Sequence, residues 1–371
     1  MSTPDFEQLL AAKTGTTLPA LPGCVLAAVN KQGEQIYFKC AGLDAVVPDS
    51  SPIQADATFW LASCTKLIGV AALQCVERGQ IRLDDPVDGI LPELARPQII
   101  RAVVSSDNGG AVASEGFSLV STKSEITLRQ LLTHTSGLGY DFVYPELMAW
   151  RASRGEGPLS LSGQLVKAYS TPLLFEPGEG WAYGGGIDFP PGAPTDIKTL
   201  LVETAQRADG GILQSLQKVW PDHAPEDCAG AGLYSSVPDY LKVLGDLIKD
   251  TPTLLSRETI EREMFAPQLP ENSLALRSLL SAPDLVSSMT GSTGSGAGIN
   301  HGLGGLYFAA DIGNVKKGTL TWGGLPNLKW FMNYPEGVAA LYATQLMPPG
   351  DPVCAEVTRA FFDEVWRATT R

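Results

Sequence analysis

The sequence predicts an α/β protein of the α+β kind: an antiparallel sheet flanked by helices, with an inserted, mainly helical domain. Three observations carry that expectation. Strand-like runs stand near both ends of the chain. Helical patterning with Gly- and Pro-rich loops fills the middle. A single strongly apolar helical segment links the first strands to that middle. Elements so distributed form one layered sheet only if the two ends pair and the middle leaves and returns. The implied boundaries are 1–87 with 231–371 for a discontinuous α/β domain, and 88–230 for the insertion.

The elements follow in order. Residues 23–30 and 34–40 read as two strands, and Lys31-Gln32-Gly33 between them makes a hairpin turn. Residues 63–78 read as the central helix, closed by Gly79. Its flanks, Phe59-Trp60-Leu61-Ala62 and Leu67-Ile68-Gly69-Val70, make it apolar nearly all round, which predicts burial. Runs at 318–322 and 338–344 read as strands, and 352–368 as a final helix. Gly291–Gly298 is low in complexity and reads as a surface loop; no strand-lysine-helix context supports a phosphate cradle.

Composition narrows the function. The chain has 371 residues, 44% of them hydrophobic, enough for a large core. A net charge of −13 argues against a nucleic-acid or anionic-membrane partner, since both need basic patches. No apolar run is long enough to span a bilayer. The opening Met-Ser-Thr-Pro-Asp-Phe-Glu-Gln lacks the order of a secretory signal, so a cytoplasmic, monomeric enzyme with reduced cysteines is expected. The six cysteines form no C-x-x-C pair, and His134, His223 and His301 lack ligand spacing. No metal site and no cofactor are expected, and a Ser-His-Asp triad is disfavoured. His134 reads as a residue that hydrogen-bonds a loop beside the site.

Ser63-Cys64-Thr65-Lys66 carries the chemistry. Residues at i and i+3 share a helix face, so the Ser63 hydroxyl and the Lys66 ammonium can meet. A hydroxyl needs a neighbouring base to attack at neutral pH, and a lysine serves if its surroundings lower its pKa. Ser63 also falls near a helix N-terminus, which favours negative charge on an acyl oxygen. Cys64 points about 100° away from Ser63 and is a poor alternative nucleophile. Tyr183 is flanked by Pro177-Gly178-Glu179 and Gly184-Gly185-Gly186. On its own it reads as a packed aromatic.

Further motifs come in a fixed order: Leu131-Leu132-Thr133-His134-Thr135-Ser136-Gly137-Leu138, the Tyr183 segment, Gly232-Leu233-Tyr234, Gly302-Leu303-Gly304-Gly305 and Trp322-Gly323-Gly324-Leu325. With Ser63-x-x-Lys66, this set resembles the serine β-lactamase and penicillin-binding-protein superfamily. It is most similar to the class C-like branch of family VIII carboxylesterases and fungal lovastatin-type acyltransferases. The resemblance covers about 20–187 and 230–370.

It implies a β-lactamase/transpeptidase-like fold with the site in the crevice between domains. It also implies a Ser63 nucleophile, with Lys66 and Tyr183 handling the proton; which of the two is the base stays open. The backbone N–H groups of Ser63 and Leu325 would form the oxyanion hole. Trp322, Gly323, Gly324, Tyr140 and Gly185 would line the substrate site. The expected substrate is a small-molecule carboxylic ester or thioester of secondary metabolism, with an alcohol acceptor or an acyl-carrier donor. A β-lactamase or D-Ala-D-Ala carboxypeptidase, and a catalytically silent binding protein, are the alternatives.

Two departures stand out. Gly185 replaces a polar residue, and Trp322 replaces a cationic element that would hold a substrate carboxylate. Segment 189–228, beginning Phe189-Pro190-Pro191-Gly192, leaves the family pattern and is expected to shape substrate choice.

Overall fold

A computed structural model describes residues 4–15, 19–102, 116–188, 201–221, 224–290 and 298–369. The Phe189–Pro194 run, most of the Gly291–Gly298 run and His223 lie outside these residues.

Its centre is a seven-stranded sheet. In chain order the strands are β1 (Gly23–Asn30), β2 (Gln35–Gly42), β3 (Ile299–Gly302), β4 (Gly305–Phe308), β5 (Thr319–Gly323), β6 (Lys329–Asn333) and β7 (Val338–Thr344). In space they run β2-β1-β7-β6-β5-β4-β3, every neighbour antiparallel. The ends of the chain pair directly, with Ala27 opposite Leu341 in the β1–β7 ladder. Four of the seven strands match the sequence reading. β3, β4 and β6 go beyond it, because short runs buried on both faces lack an alternating polar signal.

Alternation along β1 builds two cores. Cys24, Leu26 and Ala28 face helices α1 (Pro4–Thr14) and α4 (Pro352–Thr369). Val25, Ala27 and Val29 face the main core, with α2 (Gly69–Glu77) and α3 (Val237–Leu247). The sheet is thus covered on both sides.

The expected 63–78 helix is two pieces. Ala62–Ile68 is a 3₁₀ helix and α2 follows it. Burial is nearly continuous in the first half, where Lys66 and Leu67 are buried; in the second half Leu73 is buried whereas Ala71 and Glu77 are exposed. Between 88 and 230 the helices are short, Leu128–Leu132, Pro145–Ser153 and Leu165–Tyr169. Two strand pairs join them, Gln98–Ala102 with Phe117–Ser121 and Ala205–Arg207 with Leu213–Ser215. Frequent Gly and Pro keep helices there from lengthening.

Candidate active site

The nucleophile turn follows from local geometry. Strand Thr58–Trp60 delivers the chain to Ala62, which is held at φ 45°, a strained value for a residue with a Cβ. The 3₁₀ helix begins there. In a 3₁₀ helix residues i and i+3 eclipse, so Ser63 and Lys66 project to the same side more directly than on an α-helix. Ser63 stays partly exposed, Lys66 is 1% exposed, and Lys66 Nζ lies 3.5 Å from Ser63 Oγ.

Tyr183 comes to the same place from the other side. Its hydroxyl is 2.5 Å from Ser63 Oγ. The backbone fixes it there: Tyr183 O accepts from Tyr140 N–H, and Ala182 N–H donates to His134 O. Lys66 Nζ lies 5.1 Å from the Tyr183 ring centre and 5.2 Å from that of Tyr140.

Lys66 donates to the Tyr140 hydroxyl at 2.7 Å and to the Gly230 carbonyl at 2.8 Å. Tyr140 donates onward to the Asp188 carboxylate at 3.1 Å, and Cys228 Sγ donates to its other oxygen at 3.3 Å. Asp188 is fully buried. Burial pushes the Lys66 pKa down, but Tyr183 and Asp188 beside it outweigh burial and leave it above the ordinary lysine value. The condition under which Lys66 alone would serve as the base, a lowered pKa, is not met: these neighbours favour its cationic form. Burial, reinforced by Asp188, holds the Tyr140 hydroxyl protonated. Burial raises the Cys64 and Cys228 thiols as well, so neither is a ready nucleophile.

A cavity of about 180 Å³ opens at Ser63. Trp60, Phe142, Val143, Leu161, Leu325 and Pro349 supply apolar wall, Tyr140 and Tyr183 also line it, and among the described residues no Lys or Arg does. Gly324 borders it as the sequence suggested. Gly323 ends β5 and is not part of its wall. Two further expectations are corrected. Trp322 does not face the cavity. It is buried behind Tyr183, ring centres 5.4 Å apart, because strand alternation turns it into the main core. Gly185 offers no substrate contact either. It sits in the turn Gly185–Ile187, and a Cβ there would overlap the Tyr169 ring.

His134 departs from its expected role as well. Its ring makes no hydrogen bond with the described residues and stacks on Trp322 at 5.7 Å. Burial, with His301 and Lys66 nearby, drives its pKa well below the ordinary histidine value. It is a neutral aromatic packed 5.1 Å from Tyr183.

Asp188, Tyr169, Cys228 and Gly230 escaped the sequence reading as site residues. The sole signal was the position of Asp188 straight after Gly184-Gly185-Gly186-Ile187. Among the described residues no cluster of three or more His, Cys, Asp or Glu could hold a metal ion. No helix among them is long and apolar enough to cross a membrane.

Comparison with known proteins agrees with this geometry. A family model described as Beta-lactamase matches residues 13–185. Acyltransferase calJ of Penicillium decumbens is 35% identical over 98% of this chain and 97% of its own length. Lovastatin esterase of Penicillium rubens is 29% identical over 93% of this chain and 94% of its own. The solved structure of simvastatin synthase (LovD) from Aspergillus terreus superposes with a TM-score of 0.81 at 29% identity, covering 98% of this chain and 97% of that one.

Proposed function

We propose a mechanism for a chain that belongs to the Beta-lactamase family and is a serine hydrolase or acyltransferase within it. Ser63 Oγ attacks the acyl carbonyl of a carboxylic ester or thioester and forms an acyl-enzyme. Lys66 and Tyr183 act as a pair that takes the serine proton and returns it to the leaving group. The Ser63 N–H opens the first turn of the 3₁₀ helix, where N–H groups have no partner within the helix. With the Leu325 N–H just past β5, it receives the developing oxyanion. Water as second substrate gives hydrolysis; an alcohol gives acyl transfer.

One observation carries this reading: a serine hydroxyl 2.5 Å from a tyrosine hydroxyl and 3.5 Å from a buried lysine, at the edge of an apolar cavity. The wall favours an acyl group of modest size. A substrate carboxylate would be desolvated there with no cation among the described wall residues, which is costly. Esters are therefore preferred to β-lactams. Two relatives are named an acyltransferase and a lovastatin esterase, which supports a small ester of secondary metabolism as substrate. Six free cysteines fit a reducing, cytoplasmic compartment.

The described part of segment 189–228 bears on selectivity. Leu201, Val202, Leu216, Val219 and Trp220 line a second cavity, about 350 Å³, whose wall shares Trp60 with the first. The discriminating experiment measures kcat/KM for p-nitrophenyl esters of graded length, with and without an added alcohol, against a chromogenic cephalosporin. Fluorophosphonate labelling of Ser63 is followed in parallel. Equal or better cephalosporin turnover would overturn the ester reading, and absence of both turnover and labelling would make the chain a silent member.

A further inference from the structure

The Lys66–Tyr183 pair can be short of one proton in two ways: phenolate with ammonium, or phenol with amine. The two forms have the same net charge, and they differ in which residue is the base. We propose that Asp188 is the positioning residue that decides between them, keeping the proton on Lys66 and leaving Tyr183 as the group that accepts the proton of Ser63. The inference rests on the mechanism above and concerns the same site.

The geometry is direct. Asp188 is fully buried, and a buried carboxylate needs a cation or several donors. Tyr140 and Cys228 both donate to it. Lys66 is reached through a single hydroxyl, that of Tyr140, which accepts from the ammonium and donates to the carboxylate. That bridge works in only one direction. Lys66 Nζ also lies beside the Ser63 hydroxyl, and it donates to the Gly230 carbonyl, a pure acceptor. The lysine is surrounded by acceptors, an arrangement that suits an ammonium better than an amine. Gly230 serves the carboxylate too: a Cβ at that position would overlap Asp188. The chain turns tightly there to make room for the anion.

Other ionisable groups near Lys66 do not compete. Cys64 on the nucleophile turn, Cys228 beside Asp188, and Tyr140 all remain protonated, and Tyr169, packed near Asp188, is held protonated by burial first and Asp188 second. His134 behind Tyr183 is neutral, as is His301 behind it. Asp188 is thus the anion that balances Lys66 across the network. The Ser63 O–H proton passes to the Tyr183 phenolate as the new C–O bond forms, and the phenol returns it to the leaving oxygen or sulfur as the bond from the acyl carbon to that atom breaks.

The experiment compares wild type, Asp188→Asn and Tyr140→Phe. For each, kcat/KM for a short p-nitrophenyl ester is recorded across about pH 5 to 10, with a thermal melt to check folding. Removing the anion makes each deprotonation of the pair easier. The whole profile of Asp188→Asn therefore moves to lower pH, by at least about one unit. Its plateau falls roughly 100-fold as the phenolate form becomes scarcer. KM changes little, because Asp188 is not in the cavity wall. Tyr140→Phe cuts the bridge and keeps the charge, so its profile moves the same way by less. Superimposable profiles for all three proteins would overturn the proposal. If Asp188→Asn fails to fold, Tyr140→Phe decides alone, and an unmoved profile assigns Asp188 to structure only. Ser63→Ala separates the two layers of argument. If it keeps turnover, the nucleophile reading itself fails; if it is inactive while the profiles stay put, only the role of Asp188 fails.

Discussion

Tyr183 stands between two buried walls that treat polar atoms in opposite ways. On one side Lys66, Tyr140, Asp188 and Cys228 form a chain in which each polar group has a partner. On the other, His134, His301, Trp181 and Trp322 pack ring to ring at 5.6–6.4 Å. There both ring nitrogens of His134, Nε2 of His301 and the indole nitrogens of Trp181 and Trp322 find no partner among the described residues. The contrast teaches where charge is allowed. Burial is tolerable for a charge that is paired, and for an imidazole that stays neutral. The second wall gives Tyr183 a rigid backing without adding another charge to the pair that moves the proton.

The largest effect belongs to the nucleophile that the first wall serves. Ser63→Ala should leave the fold intact and lower kcat/KM by several orders of magnitude, leaving only binding and oxyanion stabilisation. Fluorophosphonate labelling should vanish with it. A folded Ser63→Ala protein with normal turnover would break the assignment of chemistry to this wall.

The next test probes the pairing. Lys66→Met keeps the length of the side chain and removes its charge, stranding the Asp188 carboxylate. Activity should fall by about 10²–10⁴-fold. Stability should fall by about 3–5 kcal/mol, the cost of breaking a buried pair from one side. Adding Asp188→Asn should restore much of the stability and none of the activity. Denaturant titrations of the three proteins check this. Equal stability of the single and double variants would mean that the wall is not held together by its charges.

The second wall predicts a pH dependence of the opposite kind. Burial pushes the His301 pKa down to about 4, and that of His134 lower than its ordinary value as well. A histidine with a depressed folded value binds fewer protons folded than unfolded. Its full stability is present above the unfolded value of about 6.5 and is lost as pH falls toward the folded one. His301 alone should cost on the order of 3 kcal/mol between about pH 6.5 and 4. Urea unfolding at about pH 7.5 and 4.5 should show the loss, and His301→Phe should flatten it. An equally steep loss in His301→Phe would show that this ring is not the sensor.

How much of this was legible depended on distance along the chain. Ser63 and Lys66 are three residues apart, so spacing alone brought them together, and the 3₁₀ turn only tightened the match. Tyr183 on its own read as a packed aromatic, and only the family resemblance that its glycine-rich flanks help carry marked it as catalytic. Asp188 was not, because its partners Tyr140 and Cys228 lie 48 and 40 residues away and nothing local marks them. Trp322 was misplaced for a different reason. Every residue of β5 is buried, so no polar alternation reveals which side of the strand meets the cavity. Gly185 looked like a missing polar handle, but the space is filled by Tyr169 from a separate helix. The seven-stranded order was half visible. Strands at the two ends of the chain implied that the ends pair, while β3, β4 and β6 are short and wholly buried, leaving little pattern to read.

Of the residues in the two walls around Tyr183, Tyr140 alone borders the cavity, which sharpens the last and smallest prediction. Selectivity should lie where the first cavity meets the second. Trp60 is shared by both, and it stacks on Trp220 with ring centres 6.2 Å apart and an interplanar angle of 22°. Its indole N–H is anchored on the Ala231 carbonyl, so the ring has one fixed end and one supported face. Trp220→Ala removes the supporting face. The Trp60 ring can then shift toward the second cavity and enlarge the first, while Ser63, Lys66 and Tyr183 keep their mutual distances. Longer or branched acyl groups should gain relative to acetyl by a few-fold, consistent with about 0.8 kcal/mol for each further buried methylene. The measurement is the ratio of kcat/KM between long and short p-nitrophenyl esters, with the rate of fluorophosphonate labelling as the control. A changed labelling rate with an unchanged ratio would place Trp220 among the supports of the chemistry and take selectivity away from this side of the molecule.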